Sequence, residues 1–103
     1  MDRLARLQEF LKANPADSFL QHALALEYIK AGNEQGAKEI FETILLRDAG
    51  YIGSYYHLGK LLERTGEPAL AIEWYEKGMA AAKAASDHHA LGELRAAYEN
   101  LVE

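Results

Sequence analysis

Large apolar residues recur at helical spacing along the whole chain, with polar positions filling the intervals. Leu4, Leu7, Phe10 and Leu11 place one apolar face on a helix over 2–13. Asn14-Pro15 ends it, because the residue before proline is pushed out of the helical region. Leu20, Leu24 and Tyr28 mark a second helix, for which Ser18-Phe-Leu-Gln21 has capping-box form. Gly32 suits the left-handed turn after it, and Asn33 can cap the next helix. That helix carries Ala37, Ile40, Phe41, Ile44 and Leu45 as a stripe. The pattern then starts again. Tyr55, Leu58, Gly59 and Leu62 mark a helix ended by Gly66, and Pro68 opens one carrying Ile72, Trp74, Tyr75 and Met79. Gly78 inside that helix is unfavourable by about 1 kcal/mol relative to Ala, which a close backbone approach would explain. A last helix follows Ser86-Asp87, with Leu91, Leu94, Tyr98 and Leu101 on one face. The expectation is six helices, broken near 14–17, 32–33, 48–53, 66–67 and 86–87.

Composition agrees with an all-α chain. Eighteen Ala, fifteen Leu and twelve Glu stand against one Val, five Ile and two Thr. The strongest helix formers dominate, and the β-branched residues that favour strands are scarce.

Shifting the sequence by 34 positions superposes Leu24 on Leu58, Ala25 on Gly59, Gly32 on Gly66, Ala37 on Ala71 and Phe41 on Tyr75. Large positions fall on large ones and small on small. Tyr55-x-x-Leu58-Gly59-x-x-Leu62 and the set Ala71, Tyr75 and Gly78 resemble the tetratricopeptide repeat family, whose 34-residue units pair two helices. Leu24-Ala25-x-x-Tyr28 and Ala37 with Phe41 fit the same pattern. Gln21 replaces its first aromatic, and Ile44 is larger than its usual small residue. The family's late proline appears only as Pro15, with Ala49 and Lys83 at its place in the two full repeats.

The resemblance implies one domain over 1–103. It divides into a leading half-repeat (1–17), repeat one (18–51), repeat two (52–85) and a C-terminal half-repeat or capping helix (86–103). It implies a right-handed α-solenoid of antiparallel helix pairs, with the first helices lining a concave groove. The function implied is that of a non-catalytic protein-binding or peptide-binding scaffold. First-helix residues not needed for packing are then the candidate partner-binding set: Phe19, His22 and Leu26 in repeat one, and Tyr56, His57, Lys60 and Arg64 in repeat two. Ile29 and Lys30 lie near the first row. Aromatics with Lys and Arg suit a peptide of some acidic character. The clamp by which some family members hold chaperone tails would fall on His22, Leu26, His57, Asp87 and Leu91. Asp87 would repel a carboxylate, so that clamp is not expected.

Charge and residue usage narrow the classes further. The formal net charge is −5, which disfavours nucleic acid, since phosphate neutralisation needs clustered Lys and Arg. With no Cys there are no disulfides and no thiolate zinc ligands. No run of about 18 apolar residues is available to span a membrane, and no signal-peptide stretch follows Arg3 and Arg6, so a cytoplasmic protein is expected. Adjacent His88 and His89 point about 100° apart on a helix and do not share an ion well. His89 and Glu93 share a face without a third ligand. His22 and His57 read as partner-facing imidazoles rather than metal ligands. Glu39 with Glu42, and Glu73 with Glu76, read as a solvated face. No catalytic set or phosphate loop is present, so neither enzyme activity nor a cofactor is expected. The competing reading is a structural oligomerisation module, a homodimer formed through the terminal helices by Leu4, Leu7 and Phe10 or by Leu94 and Leu101.

Overall fold

The computed structural model describes residues 2–103. Six helices and no strand occur among them: α1 (Arg3–Ala13), α2 (Ser18–Lys30), α3 (Glu34–Arg47), α4 (Gly53–Arg64), α5 (Pro68–Ala84) and α6 (His88–Val102). Each interruption falls where the sequence pattern predicts it. The helices group into two compact units, 1–48 with α1–α3 and 49–103 with α4–α6.

In the first unit α2 and α3 pair closely and α1 packs on α2. Arg47, in the last turn of α3, donates to Ser18 Oγ at 3.2 Å and Gln21 Oε1 at 2.6 Å, in the first turn of α2. The two helices are therefore antiparallel. Ala25, Ala37, Phe41 and Ile44 are fully buried, and Leu7 reaches the same core from α1. Burying side chains the size of Phe41 and Ile44 stabilises the fold by about 1.5–3 kcal/mol each. Arg3 of α1 binds Glu27 of α2 at 3.1 Å, and Lys30 reaches the same carboxylate at 3.2 Å.

The start of α2 differs from the sequence expectation. Its cap is Asp17, whose Oδ1 accepts from the Leu20 N–H at 3.1 Å. Ser18 lies one residue inside the helix, and its Oγ donates to Asp48 at 3.1 Å. Gln21 Nε2 donates to the Pro15 carbonyl instead of closing a capping box. A carboxylate is the better ligand for the positive end of a helix, and it releases the serine to tie α2 to the end of α3. Aspartate caps α1 and α6 in the same way through Asp2 and Asp87, and Asn33 caps α3 as expected.

In the second unit α4, α5 and α6 form a stack held by two close approaches. A Cβ placed on Gly59 would fall on the Tyr75 ring, and one on Gly78 would lie 2.7 Å from Tyr55 Cβ and 3.1 Å from Leu94 Cδ1. The glycine inside α5 is thus where α4 and α6 both reach its backbone. Pairing of 59 with 75 and of 55 with 78 makes α4 and α5 antiparallel. Tyr75, Leu58, Leu62 and Ala71 are fully sealed, and Leu94 of α6 is 1% exposed. Trp74 lies beside Tyr55, ring centroids 6.2 Å apart.

Three turns close alike. The N–H groups of Asn33, Glu67 and Asp87 bond to the carbonyls of Tyr28, Leu62 and Ala82 at 2.8, 2.8 and 2.9 Å. The residue before each has positive φ: Gly32 at 84°, Gly66 at 81° and Ser86 at 56°. Glycine takes this conformation without strain, whereas serine does so at some cost.

Candidate partner-binding surface

The first candidate row lies on α2. Phe19 is in the first turn, His22 three residues on and Leu26 four further, a spacing that keeps all three on one face. Phe19 is 69% exposed, and Leu26 is half-buried. The His22 and Phe41 rings meet edge to face with centroids 5.5 Å apart, so part of His22 belongs to the core of this unit. Lys30, near this row, is held by Glu27.

The second row lies on α4. Tyr56 and His57 meet edge to face with centroids 6.0 Å apart. Lys60 Nζ sits 5.9 Å from the centre of the Tyr56 ring, within cation–π range. Lys60 Nζ is also 3.8 Å from Glu63, and Glu63 accepts a hydrogen bond from the Tyr75 hydroxyl. Burial first, and then the Glu63 carboxylate, push that phenol well above its ordinary range. The core tyrosine thus fixes Glu63, and Glu63 steadies Lys60. Burial also holds His57 below the usual imidazole value, against an opposing pull from Glu93 on α6. Arg64 is exposed at the C-terminal end of the row. Each row is a continuous helical face within its own unit.

Glu63 was not among the residues that sequence reasoning singled out. Its i,i+3 spacing to Lys60 was legible, but Tyr75 lies twelve positions away on another helix. Leu46, 85% exposed, also went unnoticed, because it lies opposite the apolar stripe of α3. Val102, 48% exposed, lies one turn past Tyr98 on the stripe of α6 and is left in water at the helix end.

Elsewhere, Asp87 accepts the Ala90 N–H at 3.0 Å as the cap of α6. His89 lies 3.6 Å from Glu93, and among the described residues no three His, Asp or Glu come together as a metal site would need. No helix of the described residues is long and apolar enough to cross a membrane. Of the residues proposed for self-pairing, Leu7 and Leu94 are 6% and 1% exposed, both in the cores of their own units. Leu4 and Leu101 are half-buried, and Phe10 is 57% exposed.

Paired antiparallel helices, glycine-led turns and small residues at helix contacts define an all-α helical repeat of the solenoid class. Residues 52–84 match the tetratricopeptide repeat. The crystal structure of a tetratricopeptide repeat domain protein from Salinibacter ruber is similar, with 37% identity and a TM-score of 0.79, covering 84% of this chain and 99% of that one. A solution structure of a tetratricopeptide repeat domain protein from the same organism shares 38% identity at a TM-score of 0.82, over 85% and 89% of the two chains. A solution structure of a Bordetella parapertussis protein is 26% identical with a TM-score of 0.83, covering 98% of this chain and 88% of that one. No curated protein matches the sequence significantly. The chain belongs to the tetratricopeptide repeat family, whose fold is in general a non-catalytic scaffold for protein interactions.

Proposed function

We propose that this protein is a binding scaffold that holds a peptide segment of another protein on the part-exposed faces of its first helices, through Phe19, His22 and Leu26 on α2 and Tyr56, His57, Lys60 and Arg64 on α4. The observation that carries this reading is the Tyr56–His57–Lys60 cluster. Its aromatic rings and ammonium are placed by contacts inside the unit before any partner arrives. Side chains ordered in advance lose less entropy on binding, so more of the contact energy appears as affinity. Lys60 and Arg64 supply positive charge on an otherwise acidic chain, so the segment bound there carries carboxylates among apolar residues.

The test is a pull-down from lysate comparing wild type with the double variant Tyr56→Ala, Lys60→Glu, its helicity checked by circular dichroism. A partner held by wild type and lost by the folded variant supports the reading. An unchanged set of partners places binding on another surface.

A further inference from the structure

The terminal helices carry a second feature that the scaffold reading does not use. On α1, Arg3, Arg6, Leu7 and Phe10 line an open depression. Phe10 is 57% exposed at its edge. Arg6 has no ion-pair partner among the described residues, and Arg3 is 65% exposed although it touches Glu27. This is an apolar hollow rimmed by guanidinium groups on a chain of net charge −5. The last turn of α6 presents the opposite arrangement. Glu99 and Val102 follow at i and i+3 on one face, with Glu103 at the cap position directly after the helix, all three exposed. Val102 is 48% exposed, a second unburied apolar side chain flanked by carboxylates. Arg95, also exposed, lies one turn before Glu99 on the same side of the helix, so the carboxylates flank Val102 only at the end of α6.

We infer that the Arg3–Arg6–Phe10 face of α1 docks on the Glu99–Val102–Glu103 face of α6 in a second copy of this chain. Phe10 covers Val102, and both lose apolar surface to water. Arg6 lies about one helical turn from Phe10, within a side chain's reach of the carboxylates beside Val102. The two faces differ, so the contact is heterologous, and successive copies either close a ring or extend a chain. Charge complementarity selects this occupant, since a partner for the basic hollow needs a carboxylate-flanked apolar residue and α6 presents one.

Sedimentation velocity on the full chain tests this, with Arg6→Glu in one variant and Glu99→Arg, Glu103→Arg in another. All these positions are exposed, and circular dichroism verifies the fold. Wild type is expected to show a mass that rises with concentration. It should fall when salt is raised from about 0.05 to about 0.5 M, which shortens the Debye length roughly threefold. Each variant alone should associate at least about tenfold more weakly, since like charges then face one another. An equimolar mixture should recover association, because each reversed face then meets a reversed partner. Wild type that stays monomeric to about 1 mM overturns the inference, as do variants that self-associate like wild type or a mixture that fails to recover.

Discussion

The Gly59 backbone lies directly beneath the Tyr75 ring, so close that a single added methyl group would occupy ring atoms. This contact sets how near α4 and α5 come. Gly59→Ala gains about 1 kcal/mol of helix propensity and overpacks a sealed core, which usually costs about 1–3 kcal/mol. Tyr75 is fully buried and its hydroxyl is tied to Glu63, so the ring cannot yield easily. Net destabilisation of up to about 2 kcal/mol is expected in urea unfolding. Gly92, in the middle of α6, is the control. Nothing lies within 4 Å of its added Cβ, so Gly92→Ala should stabilise by close to 1 kcal/mol. Equal effects at the two sites would refute the packing argument.

Ser86 occupies the turn position that glycine holds at 32 and 66, with φ of 56°. Its turn makes the same pair of closing hydrogen bonds. Ser86→Gly relieves the side-chain strain of the left-handed conformation and should raise stability by up to about 1 kcal/mol, less what the freer unfolded chain gains. Gly32→Ala and Gly66→Ala should move the thermal midpoint the other way. A lower midpoint for Ser86→Gly would show that the serine is not strained.

Asp17 rather than Ser18 caps α2. Asp17→Ala should therefore cost about 1 kcal/mol. Ser18→Ala removes only the exchange between Ser18, Asp48 and Arg47, and is expected to cost less. Denaturation midpoints of the two variants rank the caps, and the reverse order would restore the capping-box reading.

His57 links stability to pH. Its folded-state value is below the ordinary 6.5, chiefly through burial. The unfolded chain therefore takes up this proton first. The contribution is fully present above about pH 6.5, is lost as pH falls through the folded value, and levels off below it. Urea midpoints across this window should fall more for wild type than for His57→Gln. Glu93 favours the charged imidazole, so Glu93→Gln should lower the His57 value further in an NMR titration. A wild-type profile parallel to that of His57→Gln would remove the imidazole from the account.

Phe19 separates binding from folding. At 69% exposed, it can be cut to alanine with a stability change within about 0.5 kcal/mol. On the proposed reading, Phe19→Ala weakens partner capture while leaving the unfolding midpoint in place. Phe41→Ala, by contrast, empties the first unit's core and should cost about 3–5 kcal/mol. Capture unaffected by Phe19→Ala would take α2 out of the binding surface.

What the amino-acid sequence determined by itself is local or periodic. Helix number, apolar faces and breaks follow from spacing within a few turns, from Gly32 and Gly66, and from Pro15 and Pro68. The repeat was legible because size classes recur at one offset, from Leu24 and Leu58 to Phe41 and Tyr75. The row on α4 followed by subtraction once its packing positions were assigned, and it is part-buried, with only Arg64 fully in water. Tertiary structure decided the rest. Asp17 and Ser18 are both good caps, and only the approach of Asp48 and Arg47 assigned them different tasks. Leu7 and Phe10 look alike on a helical face, yet α2 buries one and leaves the other in water. The hold of Tyr75 on Glu63, and through it on Lys60, joins two helices across twelve residues. The depressed titration of His57 depends on burial and on Glu93 of α6. Periodicity specifies which face of a helix is apolar, whereas the depth of each residue and its polar partner depend on which helix packs against it.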